Sequence, residues 1–189
     1  MKRLQRSLLG VTVAMTLAVP VGASLGSASG AATATSCSVS TLAPMVGRSS
    51  ASAGTAHVTL LLTDHDKGTN ASTGSCVLSG TPVTQFGNVL VSGTGVAEFV
   101  RVGPTARKLV FVDRGKSITL KPGAVASVTV GIETAGNFVP SKCHQANVSR
   151  VRLVFNSGAT FDYTLHRTQV CTKLASTTTS GVVLGTRYP

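Results

Sequence analysis

The sequence predicts an all-β protein: a single antiparallel β-sandwich of immunoglobulin-like architecture with two disulfides, following a signal peptide and a flexible arm. Three observations predict it. Apolar and polar residues alternate with period two in at least four segments, as in strands with one wet and one apolar face. Gly (20 residues) and Pro (7 residues) cut the chain into many short runs, and no window after residue 23 has the periodicity of a long amphipathic helix. Four cysteines, an even number, all lie beyond the N-terminal apolar stretch.

Composition excludes other classes. A chain of 189 residues is enough for one domain with a core but hardly for two. Hydrophobic residues make up 42% of it, too many for a charged disordered protein. It has one long apolar run, which excludes a multi-span membrane protein. Trp is absent, so no Trp packs on a disulfide as in an antibody-type domain, and the sandwich is immunoglobulin-like in architecture only.

Along the chain, Lys2, Arg3 and Arg6 precede the uncharged apolar stretch Leu8 to Val21, and small residues follow at Val21-Gly22-Ala23. That order predicts a signal peptide over residues 1–23, with Ala32-Thr33-Ala34 as a later cleavage site at 34. The apolar stretch falls short of the roughly 20 residues that a membrane span needs. A lipoprotein reading fails because Cys37 lies far past that stretch, behind Ala34-Thr35-Ser36. Residues 24–36 contain only Ser, Ala, Gly, Thr and one Leu and read as a flexible arm. The sandwich domain then spans residues 37–189.

Within it, Val58, Leu60 and Leu62 point one way in the run His57 to Thr63. Ala126, Val128, Val130 and Ile132 do so in the next long run. Val151, Leu153 and Phe155 oppose Arg150, Arg152 and Val154, and Phe161, Tyr163 and Leu165 oppose Asp162, Thr164 and His166. Shorter strands are expected at Cys76 to Leu78, Val83 to Phe86, Asn88 to Val91, Lys108 to Val112, Ser117 to Leu120 and Gly181 to Leu184. Asn156-Ser157-Gly158 marks a turn between two strands, and folding that hairpin brings Cys143 and Cys171 together at its open end. Of the three possible pairings, Cys37–Cys76 with Cys143–Cys171 is therefore favoured. Zinc is disfavoured, because no two cysteines lie within four residues of each other.

A set of motifs runs from Cys37 through Leu60-Leu61-Leu62-Thr63 and Cys76-Val77-Leu78-Ser79-Gly80-Thr81-Pro82. It continues through Ile118-Thr119-Leu120-Lys121-Pro122-Gly123-Ala124-Val125-Ala126 to Cys143 and Val170-Cys171. In this order and spacing the motifs resemble the secreted actinobacterial family catalogued as domain of unknown function 4232. The chain departs from the family pattern at Asp64, at Thr81 and in a longer loop from Asp64 to Ser75. The resemblance implies no catalytic residues, and the motifs themselves have structural roles: Gly80 and Pro82 bracket a bend, and Pro122-Gly123 is a turn dipeptide.

Motifs of known chemistry are missing: there is no Gly-x-Ser-x-Gly, Ser-x-x-Lys, His-Glu-x-x-His or phosphate-binding loop. Catalytic, cofactor and metal residues are accordingly expected to be none. The six acids are scattered, and His57, His65, His144 and His166 have no ligand spacing. Asp64, Asp66 and Asn70 match three positions of a calcium loop, but Lys67 lies inside it and Ser75 occupies the position of the bidentate Glu. Asn70-Ala71-Ser72 and Asn147-Val148-Ser149 are sequons.

Charge is the functional signal. Seventeen Lys and Arg against six Asp and Glu give +11, and loss of the three cations in the leader leaves +8. Arg101, Arg107, Lys108, Arg114, Lys116 and Lys121 face only Asp113 as an acid in their segment, and Arg150 and Arg152 share a strand face. These eight residues are the candidate polyanion-binding set. The expectation is a non-enzymatic protein, secreted or held in the cell wall, whose partner is an anionic envelope polymer or lipid surface. Specific nucleic-acid binding is not expected, because Phe and Tyr are too few to build a base-stacking face. The competing readings are a secreted hydrolase with a site assembled from distant residues, and a basic surface without a specific partner.

Overall fold

The structure, a computed structural model, describes residues 35–64, 75–108 and 116–186, and of Lys108 the backbone only. The expected signal peptide, the arm up to residue 34, most of the calcium-like loop, Arg114 and the end of the expected strand Lys108 to Val112 lie outside the described residues.

Thirteen strands are described: β1 (Thr35–Ser36), β2 (Leu42–Ser52), β3 (Thr55–Asp64), β4 (Cys76–Ser79), β5 (Val83–Val91), β6 (Ala97–Arg101), β7 (Arg107–Lys108), β8 (Ser117–Leu120), β9 (Val125–Glu133), β10 (Gln145–Val154), β11 (Thr160–Cys171), β12 (Thr177–Thr179) and β13 (Val183–Leu184). A 3-10 turn over Ala135–Asn137 and the one-turn helix α1 (Pro140–Cys143) separate β9 from β10. One sheet runs β11-β10-β5-β6, a second runs β2-β3-β9-β12-β7 with β13 also on β9, and a small third sheet is β1-β4-β8. Pairing is antiparallel except for β1 with β4 and β12 with β7. The strand β1 takes in Thr35 and Ser36, the last two residues of the expected arm.

The alternation places the core between the two larger sheets. Leu60, Leu62, Val128 and Val130 of one sheet and Phe86, Val151, Leu153, Phe161 and Tyr163 of the other are buried in one cluster. Phe155 and Phe161 meet edge to face with centroids 5.9 Å apart. Two polar ties cross the core: the Tyr163 hydroxyl donates to the Leu61 carbonyl at 3.3 Å, and the buried hydroxyl of Thr84 donates to that of Thr179 at 3.0 Å.

Burial drives the Tyr163 hydroxyl well above its ordinary value of 10.0. A raised pKa for an acid means that the folded state disfavours the phenolate. Its contribution to stability is therefore complete below about pH 10 and is lost as pH rises further. Tyr163→Phe should thus show a shallower fall of stability in alkali than the parent, read as melting temperature against pH from 8 to 11, roughly the span either side of a free tyrosine's pKa. Equal slopes in the two proteins would contradict this.

Both disulfides form as the favoured pairing has them, Cys37–Cys76 and Cys143–Cys171. The second closes the open end of the β10–β11 hairpin, where Gln145 opposes Cys171. The first ties β1 to β4.

Some elements differ from expectation. Val83 to Phe86 and Asn88 to Val91 are one strand, continuous through Gly87. Of Gly181 to Leu184, only Val183–Leu184 pairs, because the register with β9 breaks after Ser180, whose amide donates to the Thr129 carbonyl while its hydroxyl accepts from the Thr129 amide. β2, β6 and β12 have no counterpart among the strands expected from the sequence. β2 is an edge strand that buries Leu42 and carries Pro44 mid-run, so it lacks the alternation of a half-buried strand. β2 and β3 join through Ala53 and Gly54, both at positive φ (45° and 76°), a tight hairpin turn.

Candidate functional site

The outer face of the four-stranded sheet collects the charged side chains that the inward alternation leaves over. Its registers fix two rows. In the first, Thr164, Arg150, Gly87 and Arg101 lie side by side on β11, β10, β5 and β6. In the second, Asp162, Arg152 and Gln85 do so. Arg101 and Arg150 are thus two strand spacings apart, about 10 Å between backbones.

The residue between them is Gly87, and close approach explains it. A Cβ there would lie 2.3 Å from the Val100 carbonyl oxygen and 2.8 Å from Cζ of Phe99. The Phe99 ring lies across the gap left by the missing side chain. The Arg152 guanidinium stacks on it, 4.1 Å from the ring centre. Arg152 also donates to both Asp162 carboxylate oxygens, at 2.7 and 2.8 Å. Those hydrogen bonds raise its pKa above the ordinary guanidinium value, against the opposing effect of burial. Arg150 donates to the Thr164 hydroxyl.

The eight candidate polyanion-binding residues do not all share this face. Arg101, Arg150 and Arg152 do, with Arg152 already holding a carboxylate. Arg107 lies in the other large sheet and forms an ion pair with Glu133 at 3.1 Å. Lys108 sits beside it by backbone register, opposite Thr179. Lys116 and Lys121, both exposed, flank β8 in the third sheet. Arg114 is outside the described residues. Arg101 is exposed and has no hydrogen-bond or ion-pair partner among the described residues, so the net charge of the face rests on it and on Arg150. Glu98, three residues before Arg101, lies on the opposite side of β6, facing Leu90.

Phe99 and Gly87 were not singled out from sequence. The available signal was Phe99-x-Arg101, a two-residue step that puts an aromatic and a cation on one strand face.

The described histidines are dispersed, and His65 lies outside the described residues. His57 lies on β3 opposite Gly131, His144 adopts the left-handed conformation after α1 (φ 49°), and His166 is exposed on β11. No cluster of three or more His, Cys, Asp or Glu suited to a metal ion occurs among the described residues. Among the same residues no helix is long and apolar enough to cross a membrane.

Comparison with curated proteins and with solved structures finds no match in either set. The family described as Domain of unknown function (DUF4232) matches residues 37–183, from the first cysteine of the first disulfide to β13. With most of its length and both disulfides inside that match, the chain belongs to the DUF4232 family.

Proposed function

We propose that the protein is a non-enzymatic binding module, secreted or held in the cell envelope, that retains itself on anionic envelope polymers through the outer face of its four-stranded sheet. The observation that carries this reading is the row in which Arg150 and Arg101 flank Gly87, with the Phe99 ring over the gap between them. Two cations at about 10 Å spacing, on either side of an aromatic ring, suit a linear polymer with repeated negative charge. Two disulfides, which persist in an oxidising environment, support a place outside the cytoplasm. The excess of cations over acids adds a long-range attraction to the same partners.

The test is sedimentation of the mature protein with purified wall polymer across a salt series. Most of it should bind at low salt, and binding should vanish near 1 M, where screening shortens the electrostatic range to about 3 Å. Binding that ignores salt, or no binding at low salt, would contradict the proposal.

A further inference from the structure

A second feature lies where the two large sheets open beside the 3-10 turn. Opposite the single residue Ser149 of β10, β11 inserts three: Leu165, His166 and Arg167, between the pairs Arg150↔Thr164 and Val148↔Thr168. Such a bulge breaks the alternation and re-aims a side chain. Leu165 stays buried, His166 is exposed, and Arg167 turns to the rim of a hollow of about 320 Å³.

The floor of the hollow is apolar: Ala56 and Ile132, a cross-strand pair of β3 and β9, and Ala135 of the 3-10 turn. Its rim is polar: Thr134, Arg167, Thr168 and Gln169, of which Thr168 already donates its hydroxyl to the His166 carbonyl at 2.9 Å. None of the side chains of Thr134, Arg167 and Gln169 hydrogen-bonds or ion-pairs with another described residue. Thr134 occupies the N-cap of the 3-10 turn without making a side-chain cap. Among the described residues no acid lines the hollow. The nearest in sequence, Glu133, faces the other side of β9 and is bound to Arg107.

An apolar floor rimmed by one guanidinium, one amide and the Thr134 hydroxyl is a recognisable chemistry. The guanidinium fork matches the two oxygens of a carboxylate or phosphate, and the hydroxyl and amide can donate to the remaining lone pairs. The volume is at the lower end of the range for ligand pockets, about 300–1,000 Å³, and so suits one small unit. We propose that this hollow is a subsite for an oxyanion, carboxylate or phosphate, borne on a small unit whose apolar part rests on Ala56, Ile132 and Ala135. It is separate from the Arg101–Arg150 row and does not depend on that row binding a polymer.

The experiment is a nuclear magnetic resonance titration of the isotope-labelled mature protein. Sodium glucuronate supplies the carboxylate arm and glycerol 1-phosphate the phosphate arm, with sodium chloride at matched ionic strength as the control. At least one arm should shift the amides of Thr134 and of residues 167–169, saturably and beyond the chloride control. The arm that does so names the oxyanion. Arg167→Gln, a change at an exposed side chain, should weaken that binding roughly tenfold or more, the scale of a lost hydrogen bond to a charged group. The double variant Arg101→Gln, Arg150→Gln should leave it unchanged. The proposal is overturned if neither arm moves those amides beyond chloride, or if Arg167→Gln binds as the parent does.

Discussion

Replacing Gly87 by Ala should destabilise the protein by about 3 kcal/mol, at the upper end for overpacking a tight site. The added Cβ would lie 2.3 Å from a backbone oxygen, so no side-chain rotation relieves it. The hairpin of β5 and β6 has to spread, and the Phe99 ring has to leave its place over Gly87, which takes away the surface on which Arg152 stacks. Gly93, in the turn of the same hairpin, is the control, because a Cβ there meets nothing within 4 Å. Urea unfolding of the two variants beside the parent measures the difference. Similar midpoints for Gly87→Ala and Gly93→Ala would show that the close packing of this face is wrong.

Removal of the second disulfide should cost a similar amount. Cys143 and Cys171 are 28 residues apart, and closing a loop of that length stabilises a fold by about 3.6 kcal/mol in the chain-entropy account. The bond also holds a small separate core of Ala135, Cys143, Cys171 and Phe138, and it lies beside the Thr172 amide, which the Cys143 and His144 carbonyls accept. The double variant Cys143→Ser, Cys171→Ser should therefore unfold at much lower urea, with amides at residues 135–144 and 172–176 exchanging first. A loss below about 1 kcal/mol would mean that the hairpin alone fixes this end of the sandwich.

The sequence made the centre of the sandwich legible and its margins much less so. Phe161 and Tyr163 sit on a strand with one wet face, and Leu60 and Leu62 on one whose other side carries His57, Thr59 and Thr63, so in both the alternation of apolar and polar residues has a period of two that can be read directly. The Cys143–Cys171 pair followed from the hairpin between its ends. β2 left no such trace, because an edge strand that buries little needs only the backbone of β3 as its partner. The candidate site divides in the same way. The outward pair Arg150 and Arg152 is visible in the alternation of β10. That Arg101 joins them across Gly87 is a fact of register between strands far apart in sequence, which no local pattern encodes. Density of charge along residues 101–121 pointed to one surface, but the chain carries Arg107 into a different sheet and Lys116 and Lys121 into a third. Arg167 escaped for a further reason: the three-for-one bulge in β11 interrupts the alternation that would have shown its direction.

Position of charge, rather than its amount, is the central claim, and one comparison tests it most directly. The double variant Arg101→Gln, Arg150→Gln and the double variant Lys142→Gln, Lys173→Gln each remove two positive charges. The second pair comes from exposed residues beside the Cys143–Cys171 disulfide. Binding of both to purified wall polymer at low salt, beside the parent, separates location from net charge. The account predicts that the first variant loses most of its binding while the second keeps most of it. Equal losses in the two would reduce the attraction to net charge alone and contradict the assignment of the site to the outer face of the four-stranded sheet.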